Sequence, residues 1–158
     1  MKFMANMKKE KKDNRGFSLV ELIIVIAIMA ILVGIVGTQV IPYLNRSRES
    51  KDLQLLNSYS TAAVSAYSIN AEKITIPASN KLTVDVYANA GGTGSEAIIA
   101  DEVVNLTGYA NINALQDKMS STAGKAVSAV VIEFDFGTGT VTVTGTGAEA
   151  IGTVTSYI

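Results

Sequence analysis

The 158-residue chain has no cysteine, no histidine and no tryptophan, and only two prolines. Without cysteine no disulfide can staple the fold. Without histidine and cysteine, Ser-His-Asp and Cys-His catalysis are excluded, and so are the usual zinc sites. Carboxylates alone can perform acid–base work, so these absences weaken an enzymatic reading without removing it. Charge is missing from one stretch altogether, residues 22–45. The inventory leads us to expect no enzyme, no cofactor and no metal.

What is present is divided unevenly. Residues 1–16 hold six basic and two acidic side chains, a net of +4; residues 17–158 hold seven basic and twelve acidic, a net of −5. The formal −1 of the whole chain thus hides a basic end and a mildly acidic remainder. The chemistry switches between Gly16 and Phe17. Lys8-Lys9-Glu10-Lys11-Lys12-Asp13-Asn14-Arg15-Gly16 is polar and basic, whereas Phe17-Ser18-Leu19-Val20-Glu21-Leu22-Ile23-Ile24-Val25-Ile26-Ala27-Ile28 is apolar except for one carboxylate. A secretory signal peptide is cut after its apolar core, at a small-x-small triplet. This chain offers no good Ala-x-Ala beyond its core, and its obvious junction precedes the core. The apolar segment is therefore expected to be retained.

The 24 uncharged residues 22–45 would span roughly 36 Å as a helix, sufficient for a bilayer core. Within 22–36, eleven residues are Leu, Ile or Val, contributing about −3 to −7 kcal/mol to insertion. Glu21 would cost about 2.5–3.5 kcal/mol at the bilayer centre and less near the interface, so insertion is favoured. Basic residues ahead of such a helix favour the cytoplasmic side, which puts the carboxyl-terminal part outside. A polybasic arm can also meet nucleic acid or anionic lipid. Gly34, Gly37 and Pro42 interrupt the helical pattern, at about 1 kcal/mol for an interior glycine and about 3 for proline. Pro42 lacks a donor and crowds the turn before it, so a kink or local loss of helix is expected near Thr38. A bent membrane helix with close-packing glycines is the plainer alternative.

The string Lys12-Asp13-Asn14-Arg15-Gly16-Phe17-Ser18-Leu19-Val20-Glu21 resembles the leader and mature start of a type IV prepilin. The likeness is close from Lys8 to about Leu56 and faint beyond. It implies that residues 1–16 are a leader, removed by a membrane peptidase that cuts after Gly16 and methylates the new amino group of Phe17. It implies that Glu21 pairs with the Phe17 amine of a neighbouring subunit during filament assembly. The residues alone also allow an interfacial carboxylate favoured by the helix dipole. In lipid or a dry filament core, either charge left unpaired is expensive. The likeness further implies that the stretch around Gly34, Gly37 and Pro42 can unwind and lend the filament extensibility.

The implied partners are other copies of the chain, a prepilin peptidase, an assembly platform protein, a cytoplasmic assembly ATPase, and the membrane before assembly. The implied course runs from a single-pass precursor in the cytoplasmic membrane, amino terminus inside, to a cell-surface filament. A pseudopilin of a type II secretion or competence (DNA-uptake) system fits the same motif. A single-pass anchored extracellular binding module is a more distant alternative. Many pilins close a carboxyl-terminal loop with a disulfide, which this chain cannot do.

After the membrane or filament-core segment, 17–45, the residues Leu53, Leu56, Ser60, Ala63 and Tyr67 recur at three- and four-residue spacings. They predict an exported continuation of the helix over 46–73, ended by Ile76-Pro77. Arg46, Arg48, Glu49, Lys51 and Asp52 are expected to form a solvated mixed-charge turn. Residues 74–158 shift to Thr, Gly, Val and Ala with strand-like alternation. Leu82, Val84 and Val86 alternate with Thr83, Asp85 and Tyr87. Val130, Ile132, Phe134 and Phe136 alternate in a second run, Val141 and Val143 in a third, and 153–158 form a last strand. Gly137-Thr138-Gly139 fits a hairpin turn, and the Thr-Gly repeats of 137–147 read as turn and edge material. Thr93 and Glu96 have capping-box spacing ahead of Ala97-Ile98-Ile99, and Ile112, Leu115 and Met119 suggest another short helix. The expected class is α+β: a long amino-terminal helix on a small antiparallel sheet, its face at Leu56 and Tyr67 supplying one wall of the core.

Other patterns point to no chemistry. Gly91-Gly92-Thr93-Gly94-Ser95 lacks the Lys-Ser/Thr of a phosphate-binding loop and reads as a surface loop. Glu133 with Asp135, and Asp101 with Glu102, read as solvent-facing charges rather than calcium or acid–base pairs. Tyrosines 59, 67, 87, 109 and 157 are dispersed without interleaved Lys or Arg, so binding to nucleic acid is not indicated.

Overall fold

The computed structural model describes residues 17–149 and 151–158. The basic segment 1–16, including Gly16 of the expected cleavage site, lies outside them. The chain divides into two compact units, Met1–Ile41 and Pro42–Ile158.

In the first unit, helix α1 (Leu19–Ile35) is followed by a π-helical stretch, Val36–Val40. None of the residues of α1 is buried. Leu, Ile and Val at every azimuth leave no polar face for solvent, the composition of a helix meant for lipid or for burial among other helices.

Helix α2 (Ile41–Asn70), in the second unit from Pro42 on, continues through a single 3₁₀ turn, Ala71–Lys73. Then come strand β1 (Lys81–Asp85), short helices α3 (Val86–Asn89), α4 (Ser95–Thr107), α5 (Ile112–Gln116) and α6 (Thr122–Lys125), and strands β2 (Val127–Asp135), β3 (Thr140–Gly147) and β4 (Thr153–Tyr157). The sheet is antiparallel in the order β1-β2-β3-β4. Alternation fixes which side is inner. Leu82 and Val84, Val130, Ile132 and Phe134, and Val141 and Val143 are buried on one face. Leu56, Tyr59, Ala63 and Ala66 of α2 close over them in one cluster, joined by Ile99 and Val103 of α4 and by Leu115. The α+β class, with a long helix packed on an antiparallel sheet, is as expected.

Local chemistry moves several boundaries. The first strand ends at Asp85 instead of running through Val86 and Tyr87. The Asp85 carboxylate accepts hydrogen bonds from the amides of Tyr87 and Ala88, 3.2 and 3.1 Å, and so starts α3. Helix α4 does not use Thr93 as a cap: it begins at Ser95 behind Gly94, whose φ of 99° suits glycine. The Ser95 hydroxyl instead accepts from the amide of Thr75, 2.8 Å. The Thr-Gly run is not edge material, because β3 lies inside the sheet between β2 and β4. Its glycines let neighbouring groups in close: a Cβ at Gly145 would meet Ile151, Val127 and Leu56.

The expected mixed-charge turn is helical instead. Arg46, Arg48, Glu49, Lys51 and Asp52 lie within α2, not in a turn, and Asp52 is completely buried. Its carboxylate accepts from the amides of Ser120 and Ser121, 2.7 and 2.8 Å, and from the Ser121 hydroxyl. That hydroxyl in turn accepts from the amide of Gly124, 2.8 Å, capping α6. A Cβ at Gly124 would overlap the Asp52 carboxylate, so glycine there makes the close approach possible.

Candidate functional site: the amino-terminal helix

The start of α1 is built from three residues. Ser18 takes an extended conformation (φ −68°, ψ 142°) and stands at the N-cap. Its carbonyl accepts from the amide of Leu22, 3.2 Å, closing the first turn. Its own amide donates to Oε2 of Glu21, 2.9 Å. Glu21 therefore sits in the first turn, where the exposed amide ends of the helix favour negative charge. A carboxylate offers about four acceptor positions, so this single bond leaves Glu21 able to accept from a further donor. Phe17 precedes the cap and is 90 % exposed.

The helix beyond has the length and composition to cross a membrane: its most apolar 18-residue window has a mean hydropathy of 3.2. Leu22, Ile23, Ile24, Val25 and Ile26, successive residues around the axis, are all about half exposed. Among the described residues, no atom beyond the adjoining helix backbone lies within 4 Å of where a Cβ would stand at Gly34 or Gly37, so no packing among them calls for glycine at either position. The π-helical stretch begins two residues after Gly34 and ends two before Pro42. Within it the Thr38 hydroxyl donates to the carbonyl of Gly34, 3.0 Å. A π turn spaces backbone bonds one residue further apart, which accommodates the carbonyls that the proline ring and its missing amide leave without α-helical partners.

The second unit offers little that resembles a reactive centre. Among the described residues there is no group of three or more acidic side chains placed to hold a metal. The glycine loop 91–94 is tied down by an acid: the Gly91 amide donates to Oδ1 of Asp101, 2.7 Å, so that donor is not free to cradle a phosphate. Glu133 and Asp135 flank the Lys81 ammonium at 2.8 and 3.4 Å on the outer sheet face. The hydrogen bond to Glu133 leads in holding Lys81 above its ordinary pKa.

Tyr59, Tyr87 and Tyr109, dispersed in sequence, are gathered in space, whereas Tyr157 is exposed. Tyr59 and Tyr87 share a hydrogen bond between hydroxyls, and Tyr59 stacks on Tyr109 with centroids 6.3 Å apart. Burial, then the Tyr87 hydroxyl, pushes Tyr59 far above the usual phenol range. Tyr67 packs with Phe134 and Phe136. These are internal contacts, not a stacking platform. Asp52 and this cluster are the polar features that sequence reasoning missed. The one available signal was the placement of Asp52 on the same helical face as Leu56 and Ala63.

An apolar helix long enough for a bilayer, with one carboxylate in its first turn and a separate folded unit after it, fits a membrane-anchored protein. Residues 11–37 match the family model described as the prokaryotic N-terminal methylation motif, the type IV prepilin signature. The match includes Gly16, Phe17, Glu21 and Gly34 and ends at Gly37. No curated protein and no solved structure matches the chain. The chain thus carries the prepilin signature at the start of its apolar helix. The signature points to a structural, pilin-like protein rather than an enzyme, processed by a prepilin peptidase as a membrane-anchored precursor.

Proposed function

We propose that this chain is a filament subunit of the type IV pilin class, made as a membrane precursor with residues 1–16 inside. It is cut after Gly16, methylated on Phe17 and polymerised through its apolar helix with the aid of an assembly platform protein and a cytoplasmic ATPase. The observation that carries this reading is the coincidence of the methylation motif with an apolar helix of which no residue is buried among the described residues. Such a helix is stable in lipid, or among equally apolar helices of other copies. Phe17 stands exposed one residue before the cap, where a new amino terminus would project. Glu21 has acceptor capacity left for that amine in a neighbouring copy. Head-to-tail repetition of the contact gives an open fibre.

Intact mass and amino-terminal sequencing of the protein from native cells test the reading. A chain starting at Phe17 and one methyl group heavier supports it. A chain starting at Met1, in cells that process other prepilins, removes it. Abundant surface filaments containing the chain separate a pilin from a pseudopilin.

A further inference from the structure

The two edges of the sheet are finished differently. On β1, the Phe136 amide bonds to the carbonyl of Asn80, 2.8 Å. Alternation along an antiparallel ladder then turns the amides of Lys81, Thr83 and Asp85 outward. Two of these three are already used: Asp85 donates to Oδ1 of Asn89, 2.7 Å, and Lys81 reaches the Ser79 hydroxyl at 3.4 Å. The strand also carries the Lys81 ion pairs. That edge is closed by side chains and charge, the usual protection against pairing with another chain.

The β4 edge has none of this. The Ile158 amide bonds to the carbonyl of Gly139, 3.0 Å, so Val154 and Ser156 face β3, and the backbone groups of Thr153, Thr155 and Tyr157 face outward. Among the described residues no side chain bonds them. Thr153-Val154-Thr155-Ser156-Tyr157 has no charge and no proline, and its register with β3 is unbroken over all five pairs. Thr153, Thr155 and Tyr157 are exposed. β-Branched and aromatic residues on a regular, uncharged edge form a template for a further strand.

We infer that β4 pairs antiparallel with β4 of a second copy, about a two-fold axis at Thr155. That register sets Thr155 opposite Thr155, Val154 opposite Ser156 and Thr153 opposite Tyr157. Side-chain alternation is preserved, and the sheet continues across both copies. The occupant is a second copy because the edge matches itself: it brings no like charges together, and each β-branched Thr153 meets an aromatic ring, a favourable cross-strand pair. A five-residue strand is only about 17 Å long. One such contact is smaller than a stable dimer interface, so a single pair is weak and transient. If the chain is a filament subunit as proposed above, many copies along two fibres would engage together and hold them side by side. The pairing is isologous and cannot itself build the fibre.

Because the chain has no cysteine, single-cysteine variants of the full chain test this in the membranes of producing cells. In the two-fold register the Thr155 Cα atoms lie about 5.5 Å apart, within disulfide reach. Mild oxidation of Thr155→Cys is expected to give a species of twice the chain mass, which Thr83→Cys on the closed edge does not give. Adding Thr153→Lys and Tyr157→Lys sets lysine against lysine and abolishes the doubled species. Thr153→Lys with Tyr157→Glu sets opposite charges together and restores it. Equal yields from Thr155→Cys and Thr83→Cys, an adduct of any other mass, or indifference to the lysine pair would overturn the inference. The monomer mass in the same sample reports whether the chain starts at Phe17, so strand pairing and prepilin processing are read independently.

Discussion

Glu21 spends one oxygen on the Ser18 amide and keeps the rest of its acceptor capacity. The bond stabilises the first turn whether or not another subunit is present, so structural and assembly roles are compatible in one side chain. If the proposed pairing with a neighbour's Phe17 amine is correct, Glu21→Ala will be processed and inserted but will not form filaments, as immunoelectron microscopy with mass analysis will show. Normal filaments from that variant would remove the assembly role. Asp52 is the second informative residue. Replacing it with alanine leaves the amides of Ser120 and Ser121 without their acceptor. We expect Asp52→Ala to lower the stability of the second unit by about 2–4 kcal/mol, measured by denaturant unfolding of the full chain in detergent. A wild-type midpoint would refute this. Glu21 was legible because its neighbours form a recognisable string. Asp52 was not, because its partners lie 68 and 69 residues away, and a carboxylate beside Arg48 and Lys51 reads as solvated.

At the scale of elements, hydrophobic periodicity located α2 and every strand, because helix and sheet each bury one face and their spacing records it. It did not locate α3 or α6, single turns started by the side chains of Asp85 and Ser121. Nor could it show that β3 is internal, since strand order is decided by pairing across the sheet. The turn between β2 and β3 shows how one carboxylate holds such a link. Oδ1 of Asp135 accepts from the amides of Gly137 and Thr138, 2.9 and 3.1 Å, and Gly139 closes the turn at φ 69°. The Thr138 amide leads in holding Asp135 below its ordinary 3.8. The sign follows: this contribution is present above that value and is lost as pH falls through the lower folded one. Protection of the Gly137 and Thr138 amides, relative to their intrinsic exchange rates, should therefore fall on acidification below about pH 3.8, earlier than at buried β2 positions. Unchanged protection there would argue against the carboxylate's role.

For the whole molecule, the expected orientation puts residues 1–16 inside and the sheet outside. A membrane-impermeant maleimide applied to intact spheroplasts of cells without prepilin peptidase, where residues 1–16 stay attached, should label Thr142→Cys and spare Lys8→Cys; the reverse pattern would invert the topology and with it the proposed export. The class of fold was readable because an apolar anchor and an alternating Thr/Val region are distinct compositions. The specific use of the protein was not, because the motif ends at Gly37 and the rest of the chain matches no curated or solved protein. The evenness of α1 has one more consequence. A rod equally greasy on all sides carries no angular information: rolled or slid against a like rod, it exchanges one set of Leu, Ile and Val contacts for another of nearly equal worth. Its single index mark is the carboxylate near one end. That mark can set the axial rise between neighbours to within a turn, but the rotation must be specified by surfaces outside the rod. Two proteins sharing this kind of anchor could therefore build fibres of similar rise and quite different twist.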